Sequence, residues 1–125
     1  MVEKRSAPTM GSPLAEAVPS EREPIIDLGH LQSFTDGDPQ LESELLNLFL
    51  STADVYLARM SQALAAGESW STTAHALKGA SANLGACRIA ALALTAEHTA
   101  ASVEQLDALR RAVEEVRALA PAMPG

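Results

Sequence analysis

The sequence predicts an all-α fold, an up-and-down bundle of four helices with a short additional N-terminal helix. Apolar residues make up 47% of the 125 residues, with many Ala and Leu but only one Trp, one Tyr and two Phe. Helices favour Ala and Leu, whereas strands favour β-branched and aromatic side chains. Apolar residues also recur at spacings of three and four along four long stretches, as expected for helices that each bury one face. Short connections between these stretches favour a bundle.

The length suits one domain. Residues 1–23 are rich in Pro, Ser, Ala and Glu and lack apolar periodicity, so they are expected to form a disordered tail or linker. Residues 24–120 are expected to form the bundle, and residues 121–125 a disordered C-terminal tail.

Charge and composition exclude several classes of partner. The formal net charge of −7 argues against nucleic acid and against an anionic membrane surface. Cys87 is the single cysteine, so neither an internal disulfide nor a cysteine-based metal site is expected. Lys4 and Arg5 are not followed by an apolar run, and no stretch approaches the roughly 20 residues of a membrane span. The chain is therefore expected to be cytoplasmic.

The first predicted helix is short and covers residues 27–34. Asp27 is expected to cap it, with Leu28, Leu31 and Phe34 on one face. Residues 36–39 then break the chain.

The second predicted helix is the longest and covers residues 39–65. Asp38 suits its N-cap, Pro39 its first position and Gly67 its end. Two neighbouring apolar stripes run along it, one with Leu41, Leu45, Leu48, Thr52 and Tyr56, the other with Leu46, Phe49, Ala53, Leu57, Met60 and Leu64. Either both stripes are buried in the bundle, or part of this surface stays open and docks a partner.

The remaining helices are marked by their ends. Ser69 is expected to cap the third helix, which ends at Leu84 before Gly85, and the fourth covers residues 87–99. Ser102 and the Gln three residues later form a predicted capping box for the fifth helix. The inward positions are Ile89, Leu92, Ala93 and Ala96 in the fourth helix and Leu106, Leu109, Val113 and Val116 in the fifth, which Pro121 would stop.

The third helix carries the stretch around which the chain is organised, residues 74–86. One side of this helix is apolar or small and should face the core: Trp70, Ala74, Leu77, Ser81 and Leu84. The opposite side presents His75, Lys78, Gly79 and Ala82. Residues three or four apart on a helix are neighbours, so the Lys78 side chain should reach a group bonded to the imidazole. A glycine within a helix costs roughly 1 kcal/mol relative to alanine, which suggests that Gly79 admits the close approach of another molecule.

His75-Ala76-Leu77-Lys78-Gly79, followed by small residues and by Leu84-Gly85-Ala86, resembles the signature of histidine-containing phosphotransfer (HPt) domains. The resemblance extends over residues 26–97. It implies a bundle in which His75 accepts a phosphoryl group from a receiver-domain aspartate and passes it to another receiver, or back. Lys78 would stabilise the charge of the phosphoryl group, and Gly79 would open the surface to the partner.

The resemblance also implies which partners the domain has and which components those partners supply. The partners would be response-regulator receiver domains and a hybrid sensor histidine kinase, and the receiver would supply the aspartate and Mg²⁺. This domain would bind no cofactor or metal and would act as a monomeric carrier. Because the sequence has no nucleotide-binding motif, ATP-dependent kinase activity is not expected.

Three alternatives stand beside this interpretation. An adaptor of the same fold would bind signalling partners without phosphotransfer, although it would have no reason to keep His75, Lys78 and Gly79 together. His75 could be an ordinary surface residue. A carboxylate-bridged di-iron bundle is disfavoured because no Glu-x-x-His pair occurs.

The surroundings of His75 are expected to be simple. No acidic cluster is expected there, and the region of Glu97 is not expected to touch the phosphoryl chemistry. His30 and His98 are expected to be incidental.

Overall fold

The computed structural model describes residues 23–119, which form helices and no strands. The helices are α1 (Leu28–Thr35), α2 (Pro39–Ala66), α3 (Ser71–Leu84), α4 (Cys87–Glu97) and α5 (Val103–Leu119). The predicted all-α fold is confirmed. Of the tails predicted at residues 1–23 and 121–125, all but residue 23 lie outside the described residues, and so does Pro121. None of the five helices is both long and apolar enough to cross a membrane.

The four longer helices surround a single core. Each contacts its neighbour along the chain, and α2 also contacts α5, while α1 packs on α2. The largest side chains that are fully buried are apolar except for that of Ser81: Leu31, Leu46, Met60, Leu77, Ile89, Leu109, Val113 and Val116. Most of the predicted inward positions are buried, because each helix turns one apolar face toward the same centre.

The ends of α1 and α2 follow the predicted capping residues. The Asp27 carboxylate accepts a hydrogen bond from His30 N, and that of Asp38 accepts from the backbone N–H groups of Gln40 and Leu41. Pro39 occupies the first turn of α2, and Gly67 ends the helix with a φ of 70°. These predictions are confirmed.

Other boundaries differ from the prediction by one or two residues. The prediction that Ser69 caps α3 is wrong, because the helix begins at Ser71 after Trp70, although Ser69 Oγ still accepts from Ser71 N. Trp70 is buried, and its indole Nε1–H donates to Ala96 O at 2.9 Å. Helix α4 ends at Glu97, with His98 as its C-cap, so it is shorter than predicted.

Only half of the predicted capping box forms. Gln105 N donates to Ser102 Oγ, but the side-chain NH₂ of Gln105 donates to Thr99 Oγ1. Gln105 Oε1, which would have to accept from Ser102 N–H to complete the box, has no hydrogen-bond partner within residues 23–119.

Helix α1 buries fewer of its apolar side chains against the other helices than predicted. Leu31 is buried, but Leu28 and Phe34 are 48% and 56% exposed, so the shared face does not point into the core. Polar bonds hold α1 instead. Asp27 N donates to Gly85 O at 2.7 Å, and Thr35 Oγ1 donates to the buried Glu42 carboxylate at 3.1 Å.

His30 is part of this attachment, so the expectation that it is incidental is wrong. Its Nε2 lies 2.9 Å from Asn83 O, at the C-terminal end of α3. A carbonyl oxygen only accepts, so Nε2 carries the proton and donates. The contact is tight because Gly85 has no side chain: a Cβ there would lie 3.1 Å from both His30 Cδ2 and Asp27 O.

We expect Gly85→Ala to destabilise the domain more than Gly37→Ala. Both glycines have a positive φ, 94° at Gly85 and 77° at Gly37, which costs an alanine about 1–2 kcal/mol. A Cβ at position 37 would meet nothing within 4 Å, whereas one at 85 would press on His30 and Asp27. Overpacking adds about 1 kcal/mol or more. Urea unfolding measures both variants, and equal losses would contradict the close approach at Gly85.

Candidate functional site

Helix α3 has the two faces that the sequence predicts. Its inward side is buried and comprises Ala74, Leu77, Ser81 and Leu84, next to the buried Trp70. On the outward side the His75 side chain is 65% exposed and that of Lys78 is 30% exposed. The imidazole is thus presented on a surface and not enclosed in a cleft.

Gly79 lies on the same outward side, one turn from His75. An ideal Cβ built at this position would meet no atom within 4 Å. The packing of the domain therefore does not require glycine here. The missing side chain leaves bare surface beside the imidazole, where it would matter to a molecule that approaches from outside.

The structure brings a carboxylate to His75 that the sequence interpretation missed. Glu97 Oε2 lies 2.9 Å from His75 Nδ1, and Glu97 Oε1 lies 3.2 Å from Lys78 Nζ. Only 15% of the Glu97 side chain is exposed. No acidic cluster was expected at His75, and Glu97 is a single carboxylate, but the expectation that the region of Glu97 stays apart from this chemistry is corrected by its contacts with His75 and Lys78.

A sequence signal for Glu97 did exist. Ala96 was predicted to face the core, and α3 and α4 are joined by a connection of only two residues, Gly85 and Ala86. Such neighbours run antiparallel, so the end of α4 returns to the first turns of α3. The hydrogen bond from Trp70 to Ala96 fixes this return and places the next residue, Glu97, beside His75.

The pKa of Glu97 lies below its ordinary value. Partial burial raises it, but the hydrogen bonds and charges of His75 and Lys78 together outweigh that effect. The group is therefore a carboxylate near neutral pH. A carboxylate only accepts hydrogen bonds, so it holds the proton of a neutral imidazole on Nδ1 and leaves the lone pair on Nε2. Glu97 thus selects the tautomer in which Nε2 carries the free lone pair.

An apolar groove, which we call the α1–α3 groove, opens near this site. It encloses about 500 Å³ and is lined by Phe34, Leu41, Leu45, Leu48, Phe49, Thr52, Ala80, Asn83 and Leu84. Leu41 is 37% exposed and Leu48 is 65% exposed, so the interpretation that both stripes of α2 are buried is wrong. The second stripe is buried at Leu46 and Met60. Part of the first stays open, next to the helix that carries His75.

A family model described as Hpt domain matches residues 44–119, more than half of the chain. The chain belongs to the Hpt domain family. Domains of this family take part in phosphotransfer in two-component signalling and interact with receiver domains and kinases. The matched range includes His75, Lys78, Gly79 and Glu97, but it excludes α1 and the first residues of α2. No curated protein and no solved structure matches the chain.

The residues around His75 do not resemble a metal site. Mg²⁺ prefers several oxygen ligands in octahedral geometry. Glu97 is a single carboxylate that already contacts both His75 and Lys78. Within residues 23–119, no group of three His, Cys, Asp or Glu side chains is placed to hold a metal ion.

The carboxyl of Glu97 should titrate below the ordinary value of about 4.3, and Lys78→Ala should move its midpoint upward. Because its pKa is lowered in the folded state, its contacts stabilise the fold above the unfolded-state pKa. This contribution is lost as the pH falls through the folded-state value. Carboxyl ¹³C NMR over a titration from about pH 2 to about pH 7 measures the midpoint.

Arg110→Ala is the matched control, since it removes a positive charge from α5, where Arg110 lies 3.8 Å from Asp107. A Glu97 midpoint that moved equally in both variants would show that net charge, and not contact with Lys78, sets the pKa.

Proposed function

We propose that this domain is a phosphorelay carrier in which His75 Nε2 accepts a phosphoryl group from a receiver aspartate and passes it to another receiver aspartate, or back. The observation that carries this proposal is the exposed imidazole whose Nδ1 lies 2.9 Å from the Glu97 carboxylate, with Lys78 at the same carboxylate. These residues lie within the range that matches the Hpt family.

The transfer step uses the tautomer that Glu97 selects. The Nε2 lone pair attacks phosphorus in the aspartyl phosphate, the P–O bond to the aspartate breaks, and the electron pair leaves with the aspartate carboxylate. The ring then carries both the phosphoryl group and the Nδ1 proton, so it becomes positively charged. The nearby carboxylate stabilises that charge, and in the reverse direction the protonated ring is the better leaving group.

Lys78 supplies positive charge to the phosphoryl oxygens. Its Nζ is 3.2 Å from Glu97 Oε1, and this oxygen has no other partner among the described residues. A lysine ammonium on a flexible stem meets phosphate as a point charge, and it is free to turn from Glu97 to an incoming phosphoryl group. Transfer also needs Mg²⁺, which we assign to the receiver together with the acceptor aspartate.

The α1–α3 groove is proposed to dock an apolar face of the receiver. It is open and apolar, and one of its lining residues, Ala80, directly follows Gly79, whose missing side chain would let the receiver approach the imidazole. We also infer that α2 to α5 form an up-and-down bundle with α1 at one end, since successive helices contact each other and α5 returns to α2. With the groove reserved for the receiver, the domain would act as a monomer, in the cytoplasm with its partners.

Phosphoryl uptake should be lost in His75→Gln, because glutamine has no ring nitrogen to form the phosphoramidate. The test incubates each protein with a panel of receiver domains phosphorylated by acetyl phosphate in Mg²⁺. Mass spectrometry at alkaline pH then locates the label. His98→Gln, which also removes an exposed histidine adjacent to Glu97, is the matched control and should retain wild-type uptake.

Acid-labile label on the His75→Gln protein would overturn the assignment of the acceptor. If the wild-type protein took label from no receiver yet still bound one through the groove, the adaptor function would replace the relay.

Gly79→Ala should stabilise the domain and slow the transfer. Replacing a mid-helix glycine adds roughly 1 kcal/mol to the free energy of unfolding, since no neighbour obstructs the methyl group. The same methyl occupies the surface where the receiver must approach, so the transfer rate should fall about tenfold or more. Gly29→Ala in α1 is the control, because its Cβ would make only an ordinary 3.5 Å contact with Asp27. A Gly79→Ala protein with an unchanged rate would show that the bare surface has no role in transfer.

A further inference from the structure

We propose that His30 is a positioning residue that fixes the α1 wall of the α1–α3 groove and, through Phe34, sets how tightly a receiver domain binds. This inference rests on the proposed function. It concerns a residue outside the range that matches the Hpt family, which begins at Glu44.

Apolar packing alone leaves the direction of α1 weakly fixed. Of its eight residues only Leu31 and Thr35 are buried. Phe34 forms part of the groove lining and is nevertheless 56% exposed. An aromatic side chain with so much free surface needs a further contact if it is to keep one orientation.

The His30 ring supplies that contact and joins the two sides of the groove. Its centroid lies 5.0 Å from that of Phe34 with the ring planes at 89°, which is the favourable edge-to-face arrangement. Its Nε2–H donates to Asn83 O at 2.9 Å. Phe34 and Asn83 both line the groove, one from α1 and the other from α3. A single imidazole therefore sets the separation of these two walls.

The other hydrogen bonds that attach α1 do not contact Phe34 or set the separation of the two groove walls. The bond from Asp27 N to Gly85 O holds the start of the helix, and the bond from Thr35 Oγ1 to Glu42 holds its end. Both would persist without His30, so α1 should stay attached while Phe34 loses its aromatic partner. The expected consequence is weaker docking in a domain that still folds.

The test measures KM and kcat for phosphoryl transfer from the receiver that labels the wild-type domain best in the uptake assay. We expect His30→Ala to raise KM about tenfold, the effect of losing one hydrogen bond and one aromatic contact. The value of kcat should stay within about twofold, since His75, Lys78 and Glu97 are untouched. Phe34→Ala should raise KM at least as much.

A double-mutant cycle separates positioning from general support. If His30 acts through Phe34, the double variant should have the KM of Phe34→Ala alone, because no ring is left to position. Additive increases in KM, or a kcat that falls together with a rising KM, would overturn the proposal.

Val113→Ala is the stability control, since Val113 is fully buried in α5 and does not line the groove. It should lower Tm without changing KM. If it raised KM as much as His30→Ala at an equal loss of Tm, global stability would explain the effect and the proposal would fail. A wild-type domain that takes label while His30→Ala keeps a normal KM would refute this inference alone. A wild-type domain that takes no label would refute the proposed function, and the inference with it.

Discussion

The buried hydrogen bond from Trp70 Nε1 to Ala96 O determines the geometry of the candidate site. It ties the residue before α3 to the last turn of α4. An unpaired indole N–H in the core would be costly, so the two helix ends are held in one register. Because Glu97 follows Ala96, that register places its carboxylate against His75 and Lys78. An interaction inside the core thus decides which ring nitrogen carries a proton at the surface.

The sequence alone predicted most of the fold. Helical spacing identified the buried faces because a bundle core has the same 3.6-residue period as the helices that form it. Capping by Asp27 and Asp38 was also predictable, because these bonds join residues only two or three positions apart. The α3 face with His75, Lys78 and Gly79 is set within one helix, so its layout was predictable for the same reason. Their roles in transfer stay predictions until the uptake assay is done.

What the sequence did not reveal are contacts between helices distant in the chain. The bond between His75 and Glu97 spans 22 residues, and the bond between His30 and Asn83 spans 53. Local periodicity carries no information about which side chain from another helix arrives at a given point. The exposure of Phe34 and Leu48 was not predictable, for a related reason. An apolar stripe looks the same in sequence whether a helix of the domain or another molecule covers it.

The exposure of His75 has a further consequence for the phosphorylated form. Phosphate esters carry nearly two negative charges near neutral pH, and the proposed phosphoryl group would be similarly anionic. In the described structure the outward face of α3 offers Lys78 as its nearby positive charge, and the chain as a whole has a formal net charge of −7. On a ring that is 65% open to water, solvent and salt screen such an anion, so the domain itself need not compensate its charge fully. The same openness that would let the group arrive from one partner would let it leave to another, because no enclosing wall of the domain has to open first.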